Sequence, residues 1–246
     1  MNVSPQFARH TFHFWAAAFW GDRAAWKGNA TYRNTMYCEV PRHAAECHGE
    51  PSIISEHFFF LFDYYQNIGL KAYFSDAGDD NDVYGSGWLF VRWAADQYAS
   101  DEAAFFQALT HEYTLTGIAN VEARTGRPFA DMHIDFMMAL YADDVPGLTP
   151  PAGARYTVAS WNLRDMFQGM SQDFLRGGQP IPAFPLRMTT ASFGPFTADA
   201  TLAGGGAAYV ELSGTPAASQ VLDLRGPGAV PLSAATPLRL AILRVQ

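Results

Sequence analysis

Apolar residues recur every three to four positions through the first two thirds of this chain, and alternate with polar ones after that. Residues 4–20 read as an aromatic-rich helix, and residues 21–52 as irregular chain broken by Gly21, Gly28, Pro41, Gly49 and Pro51. Helical spacing returns at Ile53–Gln66, where Ser55 is a candidate cap and Phe58, Phe59, Phe62 and Tyr65 form an apolar face. A polar loop at 75–82 (SDAGDDND) leads into the strongest helical pattern, about residues 82–99. There Tyr84, Trp88, Val91, Ala95 and Tyr98 fall on one stripe. Asp101 is placed to cap a following helix that carries Phe105, Phe106, Leu109 and Tyr113. Asn120 is expected to open a short segment closed by Gly126. Pro128 is expected to begin a helix through Phe129, Met132, Phe136, Met137 and Leu140, ended by Asp143, Asp144, Pro146 and Gly147. A last helix is expected from Ser160.

Near residue 177 the pattern changes. Glycine, proline, serine and threonine become frequent, and alternating runs stand at Tyr209–Leu212, Val221–Leu224 and Leu238–Val245. Short alternating runs separated by turn residues predict a small antiparallel β-sandwich. The expected class is therefore α+β, with a mainly helical domain over residues 1–177 and a β domain over 178–246.

Composition narrows the function. Of 246 residues, 49% are hydrophobic and 15% aromatic, which is ample for a core and excludes global disorder. The net charge is −8, and Lys27 and Lys71 are the only lysines. Without a basic patch, no nucleic-acid partner is expected. The cleanest apolar run, Phe58–Phe62, falls far short of the ~20 residues of a spanning helix, so no membrane span is expected. Phe14–Trp20 is apolar but short, aromatic and preceded by His13, so it reads as a core-facing helix. The signal of an exported protein would then lie upstream. Cys38 and Cys47 are too few for a disulfide scaffold. Three states are open to them: a local disulfide closing a loop, two buried thiols, or a zinc knuckle with His43 and His48, whose spacing matches no common finger. The disulfide is the expected state, and it points to an oxidising compartment.

No complete catalytic set emerges from the residues alone. His111-Glu112 begins an H-E-x-x-H zinc motif, but Leu115 stands where the second histidine is required. His10 and His13 are spaced to share a metal, yet aromatic packing accounts for them. His57 and His133 read as core-edge residues. The four aspartates of residues 75–82 lack EF-hand spacing and read as a solvated loop. Asp131 and Asp135 are one helical turn apart, weak ground for paired-carboxylate chemistry. Gly204-Gly205-Gly206 reads as a turn. No nucleophile elbow, phosphate-binding loop or dinucleotide fingerprint is present.

One segment carries a resemblance. Residues 83–144 contain a V-Y-x-x-G helix start (Val83, Tyr84, Gly87), Tyr84-Gly85, the pair Asp96-Gln97, an acidic, phenylalanine-bearing helix at Asp101–Leu109, a G-x-x-x-x-E-x-x-x-G element at Gly117–Gly126, and a helix ending in Tyr141. This resembles the helical region that follows the zinc site in gluzincin metallopeptidases, in particular the bacterial secreted hyicolysin-like group. Weaker echoes stand at Tyr32–Cys38 and Ser160–Arg164. The resemblance implies the C-terminal portion of an exported, secreted or cell-envelope zinc metallopeptidase, which hydrolyses peptide bonds of a peptide or protein substrate with an upstream glutamate as base. In such enzymes the H-E-x-x-H helix and the third ligand lie upstream. This chain lacks the motif, so the zinc belongs to a full-length relative and none is expected here. The resemblance also implies that Tyr84, like the tyrosine of the aminopeptidase branch, donates a hydrogen bond to the developing oxyanion. A core tyrosine on the Trp88–Tyr98 stripe is the alternative. The rival function is a non-catalytic extracellular module that holds sugar or peptide on surface aromatics such as Trp20, Trp26 and Trp161; a helical scaffold without a ligand is a third option.

Overall fold

A computed structural model describes residues 53–73, 81–111, 114–115, 117–148, 152–173, 175–214 and 240–243. The expectations for the helix at 4–20, for Cys38 and Cys47, and for the strand at 221–224 lie outside the described residues. Helices α1 (Ile53–Asn67) and α2 (Asn81–Tyr98) match the helical patterns expected at Ile53–Gln66 and at about 82–99 to within a residue. They are followed by α3 (Glu102–His111), α4 (Gly117–Thr125), α5 (Phe129–Ala142), the single turn α6 (Ala152–Arg155) and α7 (Leu163–Asp173).

The helix ends follow from local chemistry. Asp101 caps α3 as expected: its carboxylate accepts from the Ala104 N–H at 3.0 Å. Gly126, at φ +66°, closes α4 in the left-handed conformation that glycine adopts without strain. Asn120 does not open α4, which starts three residues earlier at Gly117. Instead Asn120 is buried within the helix, where its Nδ2 donates to the Leu109 carbonyl at 2.9 Å and ties α4 to α3. Pro128 stands one position before α5 as its N-cap, and its carbonyl accepts the N–H groups of Asp131 and Met132. Ser160 likewise does not begin α7. Asn162 caps it, accepting from the Asp165 N–H at 2.9 Å.

One aromatic core organises these helices. Phe58, Leu61, Tyr64 and Tyr65 of α1, Trp88, Leu89 and Trp93 of α2, Met132, Phe136 and Leu140 of α5, and Phe167 of α7 are all essentially inaccessible. Each such side chain contributes about 1.5–3 kcal/mol of burial. The expected single stripe on α2 is too narrow. Residues 92–95 are all buried, because α2 is flanked on more than one side. Trp88 meets Phe58 of α1 edge-on at 5.1 Å, while Trp93 meets Phe136 of α5 at 5.6 Å. Where α1 and α2 cross, their backbones touch. A Cβ on Gly85 would stand 2.6 Å from the His57 carbonyl oxygen and 2.7 Å from the Phe60 carbonyl carbon, and closer still to the Leu61 nitrogen.

Two small sheets complete an α+β architecture. β1 (Leu175–Arg176) and β2 (Gln179–Pro180) form an antiparallel hairpin turned by Gly177 and Gly178, both at positive φ. β3 (Met188–Ser192) pairs with β4 (Tyr209–Ser213) from Met188↔Tyr209 to Ser192↔Ser213. The expected strand at Tyr209–Leu212 is therefore present, but it pairs parallel rather than antiparallel. The reason is the route of the intervening chain. Residues 201–207 turn at Gly204-Gly205 and dock on the end of α1: the Ala203 N–H donates to the Gly69 carbonyl at 2.8 Å, and the Ala207 N–H to the Ile68 carbonyl at 3.1 Å. Gly206 presses on the Gly69 backbone there, with no room for a side chain. Tyr209 then donates to the Met137 carbonyl at 2.6 Å, fastening β4 to α5. Past residue 177, Ile181 and Leu186 are buried in the helical core, and Phe184 packs on Tyr65 and Phe167. Residues 240–243, from the expected strand at Leu238–Val245, form no strand.

Candidate functional site

Tyr84 lies in the first turn of α2, half-buried, one residue before the contact at Gly85. Its ring meets Phe60 of α1 edge-on, with centroids 6.2 Å apart at 68°. One turn further along α2, the Trp88 indole lies flat against the His57 imidazole at 5.4 Å and 7°. The Trp88 indole N–H is buried without a hydrogen-bond partner among the described residues. His57, expected at the edge of the core, lies within it.

The other motif residues of the 83–144 segment are brought into contacts that build the fold. The Asp96 carboxylate is buried and accepts from Arg92 Nη2 at 2.7 Å, from the Ser160 N–H at 2.7 Å and from the Ser160 hydroxyl at 2.7 Å. Arg92 also donates to Glu102 at 2.6 Å. Burial pulls its pKa down, but the hydrogen bond to Glu102 and the charge and hydrogen bond of Asp96 outweigh this and raise it above the ordinary value. Gln97 donates to the carbonyls of Ala154 and Thr157 at 3.2 and 2.9 Å. Glu122, the acid of the G-x-x-x-x-E-x-x-x-G element, accepts from the Phe129 N–H at 2.7 Å and so caps α5, which Pro128 cannot do with its own side chain. Arg164 spans the end of α5: it donates to the Tyr141 and Asp143 carbonyls at 2.6 and 3.1 Å, with its guanidinium 4.1 Å above the Phe184 ring.

The remaining candidates separate. Asp135 is held by Arg155 through contacts of 2.7–3.0 Å, while Asp131 is exposed, so the two do not form a shared acid–base pair. His133 is half-buried between Tyr73 and Phe129, and its Nδ1 lies 3.0 Å from the Tyr73 hydroxyl. His111 is exposed at the end of α3, where its Nδ1–H donates to the Gln107 carbonyl at 3.0 Å. Trp161, expected as a surface aromatic, is 2% exposed and packs on Phe58 and Trp88, which removes it from any sugar-binding face. Trp20, Trp26, His10, His13, His43 and His48 lie outside the described residues. Among the described residues, no three His, Cys, Asp or Glu side chains are grouped to hold a metal ion. No helix among them is long and apolar enough to cross a membrane.

Sequence reasoning missed Gly85 and Phe60 as neighbours of Tyr84. The available signal was glycine inside a strong helical pattern, which costs ~1 kcal/mol relative to alanine and usually marks a close approach. No family model matches the chain, and no curated protein or solved structure matches it.

Proposed function

We propose that this chain is the C-terminal portion of an exported zinc metallopeptidase acting on peptide or protein substrates. Tyr84 carries the reading. It stands in the V-Y-x-x-G start that resembles the gluzincins, half-buried in the first turn of α2 rather than sealed among Trp88, Leu89 and Trp93. A phenol suits the role, because it donates a hydrogen bond without carrying charge and stays protonated at neutral pH. The oxygen of the scissile carbonyl gains negative charge as the peptide bond is attacked, and the Tyr84 hydroxyl donates to it there. Leu115 breaks the H-E-x-x-H motif begun at His111-Glu112, and no three metal-ligating side chains are grouped among the described residues. In this proposal, as in the gluzincins that the segment resembles, the metal site lies in sequence upstream of residues 83–144.

Two measurements test the proposal. The 246-residue chain, washed with chelator and resupplied with zinc, is expected to retain no stoichiometric metal and to cleave no peptide. Tightly bound zinc with chelator-sensitive proteolysis in this chain would refute the assignment of the metal site upstream. In a longer product that includes an upstream H-E-x-x-H, Tyr84→Phe should lower kcat by about 10²–10³-fold, the usual loss for one oxyanion donor. KM should change little, because the bond strengthens only in the transition state. Normal kcat in that variant would return Tyr84 to a structural role.

A further inference from the structure

We propose that Gly85 and Phe60 are positioning residues for the Tyr84 hydroxyl. The proposal rests on the reading of Tyr84 as an oxyanion donor and deepens it. The first turn of a helix is its least constrained part, since its N–H groups have no partners within the helix. A donor aimed at developing charge must nevertheless be held in place before the reaction, and a displacement of roughly 1 Å can cost about 100-fold in rate.

The α1–α2 crossing supplies that constraint. At Gly85 the α2 backbone rests directly on the α1 backbone at His57, Phe60 and Leu61, an approach open only to a residue without a Cβ. Phe60, at the same point on α1, presents its ring to the Tyr84 ring at 6.2 Å. One turn deeper, His57 and Trp88 stack across the same crossing and fix its angle. A methyl group at 85 meets backbone rather than a yielding side chain. The first turn of α2 must then move off α1, and Tyr84 moves with it. Removing the Phe60 ring leaves the crossing intact but takes away the surface on which the Tyr84 ring leans.

The test uses the whole chain labelled with 3-fluorotyrosine and read by fluorine NMR, with the Tyr84 resonance assigned by its loss in Tyr84→Phe. Gly85→Ala and Phe60→Leu are each expected to shift and broaden that resonance, while those of Tyr64, Tyr65 and Tyr73 stay in place. An unmoved Tyr84 resonance in both variants overturns the proposal. Should Gly85→Ala fail to fold, Phe60→Leu alone decides, because Phe60 is half-buried and its loss leaves the backbone contact untouched. In the zinc-containing longer enzyme, Gly85→Ala should lower kcat about 10–100-fold with little change in KM, and should cost nothing further in the Tyr84→Phe background. Full additivity of the two losses would overturn positioning through Tyr84. Normal kcat in Tyr84→Phe alone would overturn the oxyanion role, and the fluorine spectra tell that failure apart from a failure of positioning.

Discussion

At the scale of single residues, two buried carboxylates do more for this fold than any motif announces. Asp143 is 1% exposed and accepts from the Val158 and Leu163 N–H groups, both at 2.8 Å. It thereby holds the chain between α5 and α7 against the end of α5. Asp143→Ala would leave two buried donors without acceptors, at about 1–3 kcal/mol each. Urea unfolding of that variant should show a loss of about 3 kcal/mol with an unchanged slope; a loss below about 1 kcal/mol would mean that water replaces the carboxylate. From the sequence, Asp143 is legible only as a helix terminator. Its partners lie 15 and 20 residues further on, beyond the reach of any local pattern. Asp96 is similar, since its bond to Ser160 spans 64 residues. Tyr84 was legible through its motif, whereas Phe60 beside it carries no motif at all.

At the scale of elements, what could be read follows how local each cause is. The Asp101 cap uses a partner three residues away, and it was read correctly. Asp101→Ala should cost about 1 kcal/mol and reduce the hydrogen-exchange protection of the first turn of α3 before that of α5. Equal loss of protection in both helices would show that the cap serves global rather than local stability. The helical stripes of α1 and α5 were likewise legible from spacing. The start of α4 was not, because Asn120 looks like a cap by type yet spends its side chain on the Leu109 carbonyl. The direction of β4 was equally hidden. Alternation marks a strand, but its parallel pairing with β3 is set by the docking of residues 201–207 on α1.

At the scale of the whole molecule, the core is unusually rich in tyrosine. Burial raises the pKa of Tyr64, Tyr65 and Tyr73 well above the ordinary 10.0, and burial pushes Tyr209 up as well. Below pH 10 both the folded and unfolded chains keep these protons, so stability does not depend on them. Above pH 10 the unfolded chain releases protons that the folded chain retains, so stability falls as pH rises. Absorbance at 295 nm should therefore show these four phenols ionising only well above pH 10, together with loss of near-ultraviolet circular dichroism. Ionisation of all the tyrosines near pH 10 with the fold intact would contradict their burial.

The seat of residues 201–207 on the end of α1 also fixes an order of assembly. Its two backbone bonds join Gly69 and Ile68 to Ala203 and Ala207, and every described helix after α1 lies in the chain between them. That long loop must be closed before either bond forms, so its closure entropy is met only once the helices have collapsed together. Among the described contacts, this corner is therefore expected to form late and to open early. In native-state exchange, the amides of Ala203 and Ala207 should trade their hydrogens through a small local opening. Those at the centre of α2 should wait for the whole chain to unfold.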